Sequence, residues 1–113
     1  MSYNNIRPLY PFRAMSGSSP VASQSLTVST AAVSPTGFTA APAVNGVELV
    51  TFDVQTSNLR VRWDGTNPTS TVGHLLFAGT NYTWPTSMYN AAVFIRDTAA
   101  TADGTVFASP LST

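Results

Sequence analysis

The chain contains no cysteine and no lysine. Without cysteine there is no disulfide framework, no thiolate nucleophile and no cysteine-type zinc site. The redox compartment therefore leaves no mark on the sequence. Without lysine, the cations are all arginine: Arg7, Arg13, Arg60, Arg62 and Arg96. They face Glu48, Asp53, Asp64, Asp97 and Asp103, for a net charge of zero. Charged residues make up 9% of the chain, against about 25% in ordinary soluble domains. The clustered positive charge that neutralises phosphates is missing, which argues against a nucleic-acid partner. No apolar run reaches the ~20 residues that span a bilayer, so no membrane partner is expected. The opening MSYNNIRPLYPF lacks the apolar core of a signal peptide, which argues against export by such a sequence.

At 113 residues the chain suits one domain. A chain of this size buries only about 65% of its unfolded surface, so the core is modest. So little charge protects poorly against association. Other chains are expected to cover much of the surface, including further copies of this one as a dimer or trimer.

Hydrophobic periodicity points to strands. In SQSLTVSTAAV, Leu26 and Val28 alternate with Ser25, Thr27 and Ser29. In VELVTFDVQ, residues 47–55, Glu48, Val50, Phe52 and Val54 share one face, and both faces are partly apolar, as in a central strand. LRVRWD sets Leu59, Val61 and Trp63 against Arg60, Arg62 and Asp64. The short TSN turn between these two runs predicts an antiparallel hairpin. Further strands are expected at residues 75–78, in AAVFIRDT and after Asp103-Gly104, with one turn of helix near residues 86–90. Asn45-Gly46 is a turn signal. No long amphipathic helix and no internal repeat is present. The predicted fold is all-β, a small antiparallel β-sandwich or barrel over residues 23–113 preceded by an extended N-terminal arm over residues 1–22.

That arm is broken by Pro8, Pro11 and Pro20 yet carries Tyr3, Ile6, Leu9, Tyr10 and Phe12. Disordered tails are poor in aromatics. The apolar residues read as anchors in a groove, with Arg7 and Arg13 forking onto carboxylates or carbonyls there.

Reaction chemistry is thin. His74 is the sole histidine, and no GxSxG elbow accompanies it. Asp53 and Asp64 are the candidate carboxylate pair, in a domain too small for a deep cleft. The DGTNPTSTVG run lacks the spacing of a calcium loop, and no phosphate-cradling glycine loop is present. No catalytic, metal or cofactor residue is assigned. Instead each loop residue has a backbone task. Asp64-Gly65 permits a tight turn, with Asp64 accepting from the amides of Thr66 or Asn67. Asn67-Pro68 fixes an extended step, and Thr69 with its neighbours can bond loop amides. Trp63, Tyr82, Trp84 and Tyr89 could form a platform for sugar, with Trp84 ahead of Pro85 as the exposed aromatic. NYT, residues 81–83, has the form of a glycosylation sequon, a chance match where no secretion signal is seen.

The residues VRWDGTNPTSTVGHLLFAGTNYTW, followed by AAVFIRDTAATADGTV, resemble a pattern in small tailed-phage virion proteins: a strand into DGTxPT, then a later FIR strand. The likeness covers residues 59–106. Its DGTxPT portion is also similar to a structural turn in fibronectin-like accessory domains of chitin-degrading enzymes. WDGT followed by VGxL is similar to lambda-type head decoration proteins. The resemblance implies a capsid decoration (cement) protein: small, β-rich, without a catalytic site, clamping the major capsid protein on the outside of the virion through its arm. A tail, connector or head-fibre component, or a carbohydrate-binding host-attachment module, are the alternatives.

Overall fold

The computed structural model describes residues 21–111. They form a two-layer antiparallel β-sandwich, in agreement with the predicted class. The expected arm, with Tyr3, Ile6, Arg7, Leu9, Tyr10, Phe12 and Arg13, lies outside the described residues.

The strands are β1 (Gln24–Val28), β2 (Leu49–Gln55), β3 (Leu59–Arg62), β4 (His74–Leu76), β5 (Asn81–Pro85), β6 (Val93–Arg96) and β7 (Gly104–Leu111). One helix, α1 (Thr86–Ala91), lies between β5 and β6. The larger sheet runs β1-β7-β2-β5 and the smaller β4-β3-β6. As the two-sided apolar pattern of residues 47–55 predicts, β2 is an inner strand, with β7 on one side and β5 on the other.

The core follows from alternation. Val50, Phe52 and Val54 of β2 face Leu59 and Val61 of β3 across the sandwich, and all five are fully buried. Val28, Phe94 and Val106 complete the layer. Phe52 is its centre. Its ring stacks against Tyr82 at 5.5 Å and meets Trp84 edge-on at 4.9 Å and Phe94 at 6.1 Å.

The hairpin expected between residues 47–55 and 59–64 does not form. β2 pairs with β5 and β7, and β3 pairs with β4 and β6. The TSN segment carries the chain from one sheet to the other. Thr56 takes a left-handed φ of 76°. Ser57 Oγ donates to Ala102 O at 2.6 Å, and Asn58 Oδ1 accepts the Ala78 amide at 2.8 Å. Two strands that both bury an apolar face gain more by setting those faces opposite each other than by lying side by side.

β4 begins one residue earlier than expected and stops at Leu76, leaving Phe77 and Ala78 in the turn to β5. The outer edge of β6 is covered by residues 29–33. Val33 and Phe94 exchange backbone hydrogen bonds of 2.9 and 2.8 Å, and the Arg96 amide donates to Ser29 O. The α1 turn is six residues long, too short to stand alone. It is held by Tyr89, buried against Phe38, Phe52 and Phe94, and burial pushes the Tyr89 phenol up to about 12. Asn90 on the same turn accepts the Phe38 amide at 3.0 Å and donates to Phe38 O at 2.7 Å. Gly37 makes that approach possible: its φ is +82°, and a Cβ there would lie 2.6 Å from Asn90 Oδ1.

Candidate functional site

The run from Asp64 to Gly73 is the most elaborate loop of the sandwich. Asp64 Oδ1 accepts the Thr66 amide at 3.1 Å, the Asx turn expected from the sequence, and Gly65 supplies a φ of +85°. Further on, Thr69 and Val72 exchange backbone hydrogen bonds, and Thr69 Oγ1 takes the Val72 amide at 3.0 Å. Pro68 is buried while Asn67 and Thr69 are exposed. The loop thereby folds over the outward face of the smaller sheet. A Cβ on Gly73 would lie 3.2 Å from Pro68 Cβ and 3.3 Å from Arg60 Cβ. The Thr98 amide donates to Ser70 O at 3.0 Å, and Arg60 donates from its guanidinium to Gly73 O at 3.1 Å.

Arg60 also pairs with Asp97, Nε to Oδ1 at 2.7 Å, with 24% and 9% of the two side chains exposed. Hydrogen bonding from Arg60, helped by the Ala99 amide, holds the Asp97 carboxyl below the usual carboxylate range. Arg62 forks onto Asp64 with contacts of 3.2 and 2.6 Å. That exposed pair lowers the Asp64 carboxyl and raises the Arg62 guanidinium.

Beside this fork lies an open pocket of about 250 Å³ lined by Arg62, Trp63, Asp64, Val72, Gly73 and His74. His74 and Trp63 stack at 4.6 Å with 21° between their planes, so the exposed imidazole covers one face of the indole. The other candidate groups do not converge there. Asp53 lies on the larger sheet, where it accepts from Asn81 Nδ2 at 2.8 Å, while Asp64 belongs to the loop of the smaller one. Among the described residues, no three His, Asp or Glu side chains come together as metal ligands.

Trp84 is not the exposed loop aromatic the sequence suggested. It lies in β5, half-buried, packed on the core and edge-on to Trp63 at 5.3 Å and 61°. Its alternation with exposed Thr83 and Pro85 is the signal that Trp-Pro had masked. Tyr89 is buried. Rings inclined this steeply pack as core and present no shared flat face.

A feature that residue-by-residue reading missed is the outward face of the larger sheet. Register places its side chains in cross-strand rows: Pro85, Leu49 and Leu111; then Thr83, Thr51 and Ser109; then Asn81, Asp53, Phe107 and Ser25. Leu49 is 39% and Phe107 41% exposed. Hydroxyls and amides bond to one another along the face, Thr51 to Asn81 at 3.1 Å and Ser23 to Ser109 at 2.8 Å. Asp53 is the single charge in these rows. The three arginines of the sandwich are already engaged, Arg60 with Asp97, Arg62 with Asp64, and Arg96 with Asp103 at 2.8 Å. Among the described residues no cation pairs with Asp53. The alternation in residues 47–55 had signalled this face, but only strand order reveals how wide it is.

No family model, no curated protein and no solved structure matches the chain.

Proposed function

We propose that the chain is a structural protein of a tailed-phage virion, a decoration protein that sits on the outside of the head and stabilises it by bridging the major capsid protein and copies of itself. The observation that carries this reading is the broad outward face of the larger sheet, poor in charge and set with Leu49 and Phe107. Depletion of charge with retained aromatics is the composition of a buried interface core. The sequence likeness of residues 59–106 supplies the phage context, and the aromatic composition of the arm supplies anchors. The reading assigns the chain no reaction, cofactor or metal.

Stabilisation comes from area. Each Å² of apolar surface removed from water at a subunit junction contributes about 25 cal/mol, less the entropy of ordering the arm. Few charges take part, so occupancy depends weakly on salt. Binding of the full-length protein to empty capsids tests the reading, and no binding sinks it; deletion of residues 1–15 is expected to lower occupancy, and undiminished occupancy removes the arm from the account.

A further inference from the structure

We infer that the outer edge of β5 is a pairing site for β5 of a second copy of this chain. The two strands run antiparallel about a two-fold axis at Thr83 and join the larger sheets of two sandwiches into one. The inference rests on the contact between copies in the proposed assembly role and names the surface that makes it.

The ladder fixes which backbone groups face outward. β5 is the end strand of the larger sheet and pairs antiparallel with β2, from Leu49 with Pro85 to Asp53 with Asn81. At its two ends the Thr86 amide donates to Glu48 O and Thr80 O accepts the Val54 amide, each at 3.1 Å. Even-numbered residues therefore bond to β2, and Asn81, Thr83 and Pro85 turn their backbone groups the other way. Among the described residues the Asn81 and Thr83 amides have no hydrogen-bond partner. Pro85 sits where its missing amide takes nothing from the ladder. Edge strands are ordinarily blunted by charge, shortness or a covering segment. Residues 29–33 cover β6, and β4 is three residues long. β5 is five residues long and carries no charged residue.

That edge is complementary to itself. With Thr83 opposite Thr83 of the second copy, each Thr83 amide meets the other's Thr83 carbonyl, and each Asn81 amide meets a Pro85 carbonyl. Every outward amide of the pair is satisfied, and the whole of each strand is matched. An axis at Tyr82 would set Pro85 against the Gly79 turn, and one at Trp84 would leave the Asn81 amides unmet. On the inner face Tyr82 falls opposite Trp84 of the second copy in the closely spaced pairs, an aromatic match repeated by symmetry. Both rings are half-buried in a single sandwich. Phe77, 53% exposed, adjoins them, its amide donating to Tyr82 Oη at 3.0 Å. On the outer face the row of Leu111, Leu49 and Pro85 runs on into Asn81 and Asp53 of the second copy. The two Asp53 side chains stay about 20 Å apart, three strand spacings across and four residues along, beyond the screening length of about 8 Å. A two-fold edge contact closes at two copies, so it makes a dimer and not a trimer.

The cysteine-free chain allows a direct test with full-length protein. Opposed Thr83 Cα atoms in a hydrogen-bonded pair lie about 5.5 Å apart, within disulfide reach. Thr83, Thr27 on β1 and Thr71 in the loop over the other sheet are all exposed. Under mild oxidation at equal concentration, Thr83→Cys is expected to form its symmetric disulfide at least about tenfold faster than Thr27→Cys or Thr71→Cys, the advantage docking gives over random encounter. Thr83→Lys and Thr83→Glu each oppose like charges at the axis. Each is expected to raise the protein concentration at which the Asn81 amide resonance shifts by about two- to fivefold, and an equimolar mixture of the two restores the original value. Both substitutions leave the backbone bonds from β5 to β2 in place, and circular dichroism checks that the sandwich is intact.

Equal disulfide rates at the three positions overturn the inference, as does an Asn81 resonance indifferent to protein concentration or to both charges. A Thr83→Cys thiol shielded from alkylation only when empty capsids are added, at any protein concentration, gives the edge to the capsid and overturns the assignment to a second copy. Capsid binding of the full-length protein separates the two proposals. Selective pairing in solution without capsid binding leaves the edge contact and removes the decoration role. Capsid binding without selective pairing does the reverse.

Discussion

The outward face of the smaller sheet lies under the polar loop of residues 64–73, whereas the described residues place no such cover over the outward face of the larger sheet. On the smaller sheet, Pro68 is buried, Arg60 is held by Asp97 and Gly73 O, and Ser70 O receives the Thr98 amide. On the larger sheet, Leu49 and Phe107 are exposed, and among the described residues the hydroxyls of Thr51 and Ser23 bond to Asn81 and Ser109 of the same sheet. One sheet is finished by its own chain. The contrast teaches that loop elaboration alone is a poor guide to function: the decorated loop covers its own sheet, while among the described residues the plain face bonds only within its own rows.

Two aspartates, one per face, give the sharpest test. Asp97→Ala deprives Arg60 Nε and the Ala99 amide of their acceptor and is expected to cost about 2 kcal/mol, the loss for a part-buried charged hydrogen bond. Asp53→Ala is expected to cost about 0.5 kcal/mol, as at an ordinary surface position. Urea unfolding of both variants checks the order, and equal losses would break the distinction between the faces.

Acid sharpens it further. The Asp97 carboxyl is held below its ordinary value, so its contribution is complete above about pH 4 and is lost as pH falls through the depressed folded value. Melting temperature should therefore fall below about pH 4, and Asp97→Asn should flatten that limb. A profile unchanged by the substitution would remove Asp97 from the account.

Within the loop, Thr69→Val removes the acceptor of the Val72 amide and is expected to cost about 1 kcal/mol by thermal denaturation. Leu49→Ser and Phe107→Ser on the open face are expected to change stability by no more than about 0.5 kcal/mol each, yet to lower capsid occupancy. Large losses of stability from these two would mean that the face is part of the fold's own core.

Much of this architecture was legible in the sequence. The alternation at residues 49–54 and 59–62 gave both the strands and their buried faces, and Asp64-Gly65 gave the Asx turn. The pairing of β2 with β3 was not legible. A three-residue turn limits distance but does not decide whether the chain reverses within a sheet or crosses to another. That choice is made by β5, β6 and β7, which arrive later in the chain and offer better partners. Trp84 misled for a related reason. Pro85 marks the end of extended structure, but it does not tell how far the preceding strand is covered, which depends on Phe52 and Trp63. The breadth of the larger sheet's outward face was beyond any local pattern, because its rows draw residues from β1, β2, β5 and β7.

The crossing at Thr56–Asn58 also bears on how the molecule comes into being. Of the five pairings among the described strands, only β3 with β4 joins strands consecutive along the chain. Among the described strands β1 pairs with β7 alone, the last of the seven in chain order. A nascent chain halted before Gly104 leaves β1 without its partner and β2 with only one of its two. Such dominance of distant pairings slows folding, and the sandwich locks only when β7 slides between β1 and β2, which precede it in the chain.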